Sequence, residues 1–155
     1  MQAADRTRVT AAVAQVRILA GHLWNEAAPE KAELSVLVVD DDAHGGSRSW
    51  FCRNEPRIKD QVVGLTPEFE ITDPTTELAF HHLFDLEPFW DGGRLEFSTD
   101  AGASWHDVLV GDGGAIPANP ARIVRGAYTG FVSVGTGHPF GGEKAWTGFV
   151  DGWIE

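Results

Sequence analysis

The stretch that decides the fold is residues 94–110, RLEFSTDAGASWHDVLV. In its first part Leu95 and Phe97 alternate with polar residues, a pattern typical of a β-strand with one apolar face. The tetrapeptide DAGA at 100–103 has the composition of a tight turn, and SWHDVLV at 104–110 reads as the returning strand. The stretch therefore predicts a β-hairpin. Glycine-rich extended patterns on both sides of it favour an all-β chain.

The turn of this hairpin fits the pattern Ser-x-Asp-x-Gly-x-Ser-Trp, known as an Asp box, from Ser98 to Trp105. Asp100 can accept hydrogen bonds from backbone N–H groups of the turn. Gly102 can adopt the positive φ that strains other residues. The Asp box of this chain resembles those of sialidases and other propeller proteins. In those proteins the box repeats once in each blade, whereas this chain has a single copy. We therefore interpret Asp100 as a structural residue and not as a catalytic acid.

The segment ELAFHHLFDLE at 77–87 has two interpretations. Asp73 followed by Pro74 resembles a helix N-cap and first helical residue. The alternation of apolar and polar side chains favours a strand instead. The apolar face would contain Leu78, Phe80, His82, Phe84 and Leu86, and the other face Glu77, Ala79, His81, Leu83, Asp85 and Glu87. The two adjacent histidines would point to opposite faces, and we expect His82 to be half-buried.

Three carboxylates lie just before the hairpin. Asp85 and Glu87 are two residues apart, so they share one face of a strand, and Asp91 follows in the glycine-rich loop FWDGG. Because Ca²⁺ prefers oxygen ligands, the three are candidate ligands of a structural Ca²⁺. The alternatives are a solvated acidic edge and, with less support because no partner residues converge on them, the carboxylate pair of a glycosidase. Trp90, in the same loop, is the candidate ligand-binding residue, since an exposed tryptophan can stack on a sugar.

Composition restricts the function further. The chain has 155 residues, 43% of them hydrophobic, which is enough for a domain with a core. The formal net charge of -11 argues against nucleic-acid binding through phosphate neutralisation. Neither a membrane-spanning apolar run nor a signal peptide is visible. Cys52 is the only cysteine, which excludes an internal disulfide and a multi-thiolate metal site, and we expect it to be a small buried residue.

The N-terminal segment, residues 1–34, is of uncertain structure, and we expect one β-sandwich domain over 35–155. Apolar residues at spacings of three and four predict a helix over 7–24, while the β-branched content leaves a strand open. After the polar linker at 25–33, the run LSVLVVDDD at 34–42 predicts a buried strand.

Two longer segments together resemble a known type of domain. They are LAFHHLFDLEPFWDGGRLEFSTDAGASWHDV at 78–108 and GAYTGFVSVGTGHPFGGEKAWTG at 126–148. Over about residues 44–149 the chain is similar to β-sandwich accessory domains of secreted bacterial proteins. Such domains are attached to immune inhibitor A-type and fungalysin-type metallopeptidases, and they resemble MAM-like and other jelly-roll modules. Within the second segment, HPFGGEKAWTG at 138–148 resembles an NP-x-x-G-x-x-A-W-x-G-like motif of these domains, and His138 stands where asparagine is usual.

The resemblance implies a jelly roll of two packed antiparallel sheets, without catalytic activity, in an extracellular or cell-surface setting. In related jelly rolls calcium is often structural. By their positions in the resembling segment, Glu87 and Asp91 are the first candidates for calcium ligands, and Asp85 is the next candidate.

The chain also departs from that family, which usually continues with further strands where this sequence stops at GFVDGWIE. We therefore expect residues 9–20, or a partner in a homo-oligomer, to complete the sheet. The leading hypothesis is a non-enzymatic, calcium-stabilised module that binds a glycan or a protein at a cell surface. The alternatives are an assembly domain that completes its sheet with another chain, and a glycoside hydrolase that uses Asp85, Glu87 and Asp91.

Overall fold

The computed structural model describes residues 13–20, 36–40, 42–52, 59–64, 71, 73, 75–114, 116–135 and 137–155. This part of the chain contains strands and no helix. The strands are β1 (Val13–Ala20), β2 (Val36–Val39), β3 (Ser49–Cys52), β4 (Lys59–Gly64), β5 (Gly92–Ser98), β6 (His106–Asp107), β7 (Gly130–Phe131) and β8 (Lys144–Ala145). The all-β prediction is confirmed at this level. Accordingly, nothing among the described residues forms a helix long and apolar enough to cross a bilayer.

The described strands form small sheets. One has the strand order β4-β1-β5-β6, and the hairpins β2-β3 and β7-β8 form two-stranded sheets. The pairs β2-β3, β5-β6 and β7-β8 are antiparallel. The β5-β6 pair is the hairpin predicted from residues 94–110, with Glu96 opposite Asp107 and Phe97 opposite His106.

The chain divides into two compact units. The described residues of unit 1 fall within 13–15, 64–78 and 95–123, and those of unit 2 within 16–63, 79–94 and 124–155. Unit 1 contains the Asp-box hairpin. Unit 2 contains β2, β3, β7, β8 and the acidic loop.

The helix predicted over 7–24 is wrong for residues 13–20, which form the strand β1. Val13 and Val16 are β-branched, and such side chains favour extended backbone. The spacing of three and four did not decide the structure, since strand pairing overrides weak local periodicity. The remaining residues of that prediction lie outside the described ranges.

β2 confirms the strand predicted within 34–42, but the strand is not buried. Val38 is 53% exposed, and Trp50, directly opposite it on β3, is 65% exposed. Cys52, at the end of β3, is half-buried, and burial raises the pKa of its thiol to about 11. The interpretation of Cys52 as a packed residue and not a nucleophile agrees with this shift, since the thiolate is the reactive form.

The segment 79–87 is extended, and it pairs with residues 148–154. His82 and Ile154 exchange two backbone hydrogen bonds of 2.9 Å, and the Leu86 N–H donates to the Gly148 carbonyl at 2.8 Å. Burial alternates along the segment as predicted, with His82 half-buried and His81 exposed. Asp73 does not begin a helix, because residues 75–87 after it contain no helical residue. Its carboxylate accepts the Thr75 N–H at 2.8 Å and its carbonyl accepts the Thr76 N–H at 3.0 Å, which closes a turn.

The core of unit 2 is built around Trp146, which is 4% exposed. Val132, Phe140 and Ala145 beside it are fully buried. The Trp146 indole N–H donates to the Gly126 carbonyl at 2.7 Å, so its polar atom is satisfied inside the core. Its backbone exchanges two hydrogen bonds of 2.9 Å with Gly93, which ties β5 to the segment that follows β8.

Candidate ligand-binding surface

The acidic loop places its three carboxylates in different surroundings. Asp85 and Glu87 are exposed, whereas Asp91 is only 6% exposed. The Asp91 carboxylate accepts the Glu87 N–H at 3.1 Å, and the Asp91 N–H donates to the Glu87 carbonyl at 3.0 Å. The buried Asp91 side chain therefore closes the turn between residues 87 and 91, while the side chains of Asp85 and Glu87 face solvent.

These positions bear on the calcium and glycosidase hypotheses. The described residues include no group of three or more histidine, cysteine, aspartate or glutamate side chains arranged to hold a metal. Asp85, Glu87 and Asp91 are thus not brought together as a shared ligand set within the described structure. Calcium stabilisation stays a prediction of the sequence, as does the glycosidase role of the same carboxylates.

The turn closed by Asp91 holds Phe89 in an uncommon backbone conformation, with φ of 70°. A positive φ is strained for a bulky L-residue, and such strain persists only where the surroundings hold it. The Phe89 N–H donates to Thr147 Oγ1 at 3.2 Å, and its carbonyl accepts the Ser133 N–H at 2.8 Å. The backbone is therefore fixed on both sides while the ring is 49% exposed.

Phe89 lies in an exposed aromatic group, which we call the Phe89 patch and define as Phe89, Trp90 and Phe131. The rings of Phe89 and Phe131 are 5.4 Å apart between centroids and tilted by 51°. Phe131 is 51% exposed and Trp90, next to Phe89 in the chain, is 42% exposed. Core packing was the alternative for Trp90, and its exposure excludes that alternative. A contiguous exposed aromatic patch is a candidate interaction surface.

The Asp-box hairpin has the geometry of a self-contained turn. Asp100 accepts both the N–H and the hydroxyl of Ser104, at 2.8 and 2.6 Å, and the Ser98 hydroxyl at 2.7 Å. The Ser98 oxygen in turn accepts the Gly102 N–H at 2.8 Å, and Gly102 has the expected positive φ of 84°. These bonds, those from Ser104 first, lower the Asp100 pKa to about 2. Both oxygens of the carboxylate accept hydrogen bonds from within the turn, as a structural role requires.

Replacing Asp100 with asparagine is expected to lower the Tm at pH 7, because an amide has only one oxygen where Ser104 needs two acceptors. Wild type should lose the same stabilisation as pH falls from about 4 towards 2, since the folded pKa of about 2 lies below the ordinary 3.8. The Tm difference between wild type and variant should therefore shrink over that range. Thermal melts followed by circular dichroism measure it, with Thr99→Ala as the exposed neighbouring control. A difference that does not change with pH would contradict this role.

Sequence reasoning did not single out Phe89 or Phe131. A positive φ at a phenylalanine has no local sequence signal, and Phe131 is brought to Phe89 by the long-range pairing of β7. In the structure Phe131 and the fully buried Val132 face opposite ways, as neighbours on an extended chain do.

Comparison of the chain with models of protein families, with curated proteins and with solved structures found no match.

Proposed function

We propose that this chain is a non-catalytic binding module that takes a carbohydrate on the Phe89 patch. The observation that supports the proposal most directly is the exposed, backbone-fixed ring of Phe89 with Phe131 tilted against it. Flat aromatic faces suit the C–H surface of a sugar ring, and a few polar groups nearby then set its orientation. The exposed Glu87 carboxylate, at the start of the same turn, is such a group.

The wider context is part of the same proposal. A jelly-roll sandwich, attached to a larger secreted protein and working at a cell surface, agrees with the all-β structure and with the sequence resemblance. For the glycosidase alternative, Asp91 is engaged in closing the turn from residue 87 to residue 91, so only Asp85 and Glu87 remain as its exposed carboxylates.

Binding to a panel of soluble and insoluble polysaccharides tests the proposal, by affinity electrophoresis and pull-down followed by calorimetry on any that bind. Wild type should bind at least one of them. Phe89→Gly should weaken binding at least about tenfold, equivalent to ~1.4 kcal/mol. Glycine is the informative choice because it adopts a positive φ without strain, so the fold should be kept while the ring is lost. Trp90→Ala should act in the same direction.

Trp50→Ala is the matched control, since Trp50 is also exposed but lies on β3 outside the patch. Absence of binding to every polysaccharide would overturn the glycan proposal, and binding unchanged in Phe89→Gly would remove it from this patch. Repeating the assay with EDTA and with added Ca²⁺ tests the calcium prediction on the same samples.

The assembly alternative has an observation of its own in the exposed cross-strand pair of Val38 and Trp50 on the β2-β3 hairpin. A two-stranded sheet with an apolar exposed face is a candidate for association with another chain. Light scattering on the wild-type sample distinguishes the two, because a monomeric mass over the working concentrations excludes stable self-assembly.

A further inference from the structure

Aspartate is followed directly by glycine at three places in the chain, at 91–92, 112–113 and 151–152. This dipeptide allows an intramolecular reaction, in which the glycine backbone nitrogen attacks Cγ of the aspartate and water leaves as a five-membered succinimide forms. Glycine favours the attack because it has no side chain that shields its nitrogen or restricts the backbone around it. Whether a given pair reacts then depends on how the fold holds the two groups.

The pair Asp91–Gly92 is enclosed by the core of unit 2. Asp91 is 6% exposed, and its carboxylate accepts the Glu87 N–H at 3.1 Å. Gly92 is buried as well, and a Cβ atom placed on it would lie 2.7 Å from Val132 Cγ2 and 3.2 Å from the Ala145 Cβ. Ring closure needs the side chain and the following backbone to rotate towards each other, and a packed core leaves no room for that rotation.

The pair Asp112–Gly113 is held by hydrogen bonds. The Asp112 carboxylate accepts the Gly114 N–H at 2.8 Å and the Ile116 N–H at 2.9 Å, so it is directed past the Gly113 nitrogen. These bonds, that from Gly114 first, lower the pKa of Asp112. Less of the group is therefore the neutral acid, which is the form that loses water readily.

The pair Asp151–Gly152 is open. Both residues are exposed, and in the part of the chain that the structure describes no hydrogen bond engages the Asp151 carboxylate or the Gly152 N–H. Gly152 has a φ of 110°, and nothing lies within 4 Å of a Cβ atom placed on it. The carboxyl group and the glycine nitrogen are therefore free to rotate towards each other.

A bulge in the strand pairing accounts for this exposure. Ile154 exchanges two hydrogen bonds of 2.9 Å with His82, and the Val150 N–H donates to the Phe84 carbonyl at 3.2 Å. Between these two points the C-terminal segment has three residues, whereas the segment opposite it has one. The surplus residues have no partner in the ladder, as is usual in a bulge, and the backbone bends at 151 and 152.

The chain is also held directly after the pair, at Trp153. The Trp153 indole N–H donates to the Asp42 carboxylate at 3.3 Å, and its edge approaches His44, which stacks on His81 with ring centroids 3.6 Å apart. When a succinimide takes up water at its α-carbonyl, the main chain continues through Cβ and Cγ of the former aspartate as an isoaspartyl bond. The main chain is then one carbon longer, and this length falls between two anchored points.

We propose that Asp151–Gly152 is a modification site, at which the folded chain converts aspartate to isoaspartate through a succinimide, while the fold protects Asp91–Gly92 and Asp112–Gly113. The glycine nitrogen forms a bond to Cγ of Asp151 and loses its proton, and the carboxyl group loses its hydroxyl, so that one water leaves. Hydrolysis of the ring returns that water. The mass of the chain is therefore unchanged, and no other reactant is consumed.

Peptide mapping of the full chain during incubation at neutral pH tests the proposal. Trypsin leaves the three pairs in separate peptides, which are 60–94, 95–122 and 145–155. Peptide 145–155 should gain a second form of equal mass and different retention time, matching a synthetic standard with isoaspartate at position 151. This form should appear at least about tenfold faster than a second form of either other peptide. Equal rates, or a peptide 145–155 that stays in one form, would overturn the proposal.

Two controls separate the effect of the fold from that of the dipeptide. In urea the three pairs should react at similar rates, because unfolding removes the burial of Asp91 and the hydrogen bonds of Asp112. A preference for peptide 145–155 that persists unchanged in urea would show that the fold is not its cause, and the proposal would fail. Asp151→Glu should keep peptide 145–155 in a single form, since glutamate needs a six-membered ring that closes far more slowly. A second form in that variant would place the modification at another residue.

Discussion

Replacing Trp146 with alanine is expected to lower the free energy of unfolding by about 3–5 kcal/mol, the range for a large aromatic removed from a core. Trp146 is 4% exposed, and its ring meets His82, Tyr128 and Phe80 edge-on at centroid distances of 4.4, 4.9 and 5.9 Å. The substitution also removes the donor to the carbonyl of Gly126, which is half-buried. Because the free energy of unfolding of a domain is only about 5–15 kcal/mol, this loss is a large part of the stability of unit 2.

Urea unfolding followed by circular dichroism measures this loss. Trp50→Ala is the control, since an exposed tryptophan on β3 should change stability by no more than about 0.5 kcal/mol. Trp146→Phe should fall between the two, because it keeps much of the packing but lacks the indole N–H. Equal stability of the Trp146→Ala and Trp50→Ala variants would contradict the assignment of Trp146 as the centre of this core.

Replacing Gly92 with alanine is expected to destabilise the fold by about 1–3 kcal/mol through overpacking. A Cβ atom at this position would lie 2.7 Å from Val132 Cγ2 and 3.2 Å from the Ala145 Cβ. Both neighbours are fully buried, so neither can turn away from the added methyl group. The first glycine of the DGG sequence is therefore required by a close approach of β5 to the core. Denaturant unfolding of the variant measures the effect.

Gly45→Ala is the matched control, because nothing lies within 4 Å of a Cβ built there. That variant should be neutral or slightly stabilising, since alanine reduces the entropy of the unfolded chain. Combining Gly92→Ala with Val132→Ala removes the atom that clashes. The loss of stability in the double variant should therefore be smaller than the sum of the losses in the two single variants. Strict additivity would show that the close contact with Val132 is not the cause.

The features that were predictable from the sequence are those built by near neighbours. The Asp-box hairpin is closed by bonds among Ser98, Asp100 and Ser104, which are within six residues of one another, so turn chemistry alone indicates it. The alternation over 79–87 has the same origin, because successive side chains of an extended chain face opposite ways. The half-buried His82 and the exposed His81 follow directly from it.

β1 and the burial of β2 were not predictable in the same way. Residues 13–20 carry spacings compatible with a helix, and only pairing within a sheet makes them a strand. β2 is a strand as its apolar run indicates, yet Val38 is exposed because a hairpin of two strands does not cover both of its faces.

The candidate site shows the same division. Sequence reasoning singled out the FWDGG loop, in which Trp90 is exposed, but Asp85, Glu87 and Asp91 could not be told apart from the sequence. The turn then buries Asp91 to satisfy the Glu87 N–H and leaves the other two in solvent. The positive φ of Phe89 is held by hydrogen bonds to Thr147 and Ser133, which are remote from it in the chain.

By itself the sequence determined the all-β character of the described chain, the structural role of Asp100 and the two faces of residues 79–87. Each of these depends on hydrogen bonds or side-chain directions set within a few residues. Only the tertiary structure decided which acid is buried, which phenylalanine is presented to solvent and which histidines stack. Those outcomes depend on contacts such as His44 with His81 and Phe89 with Phe131, whose partners are far apart in the chain, so their spacing in the sequence does not indicate them.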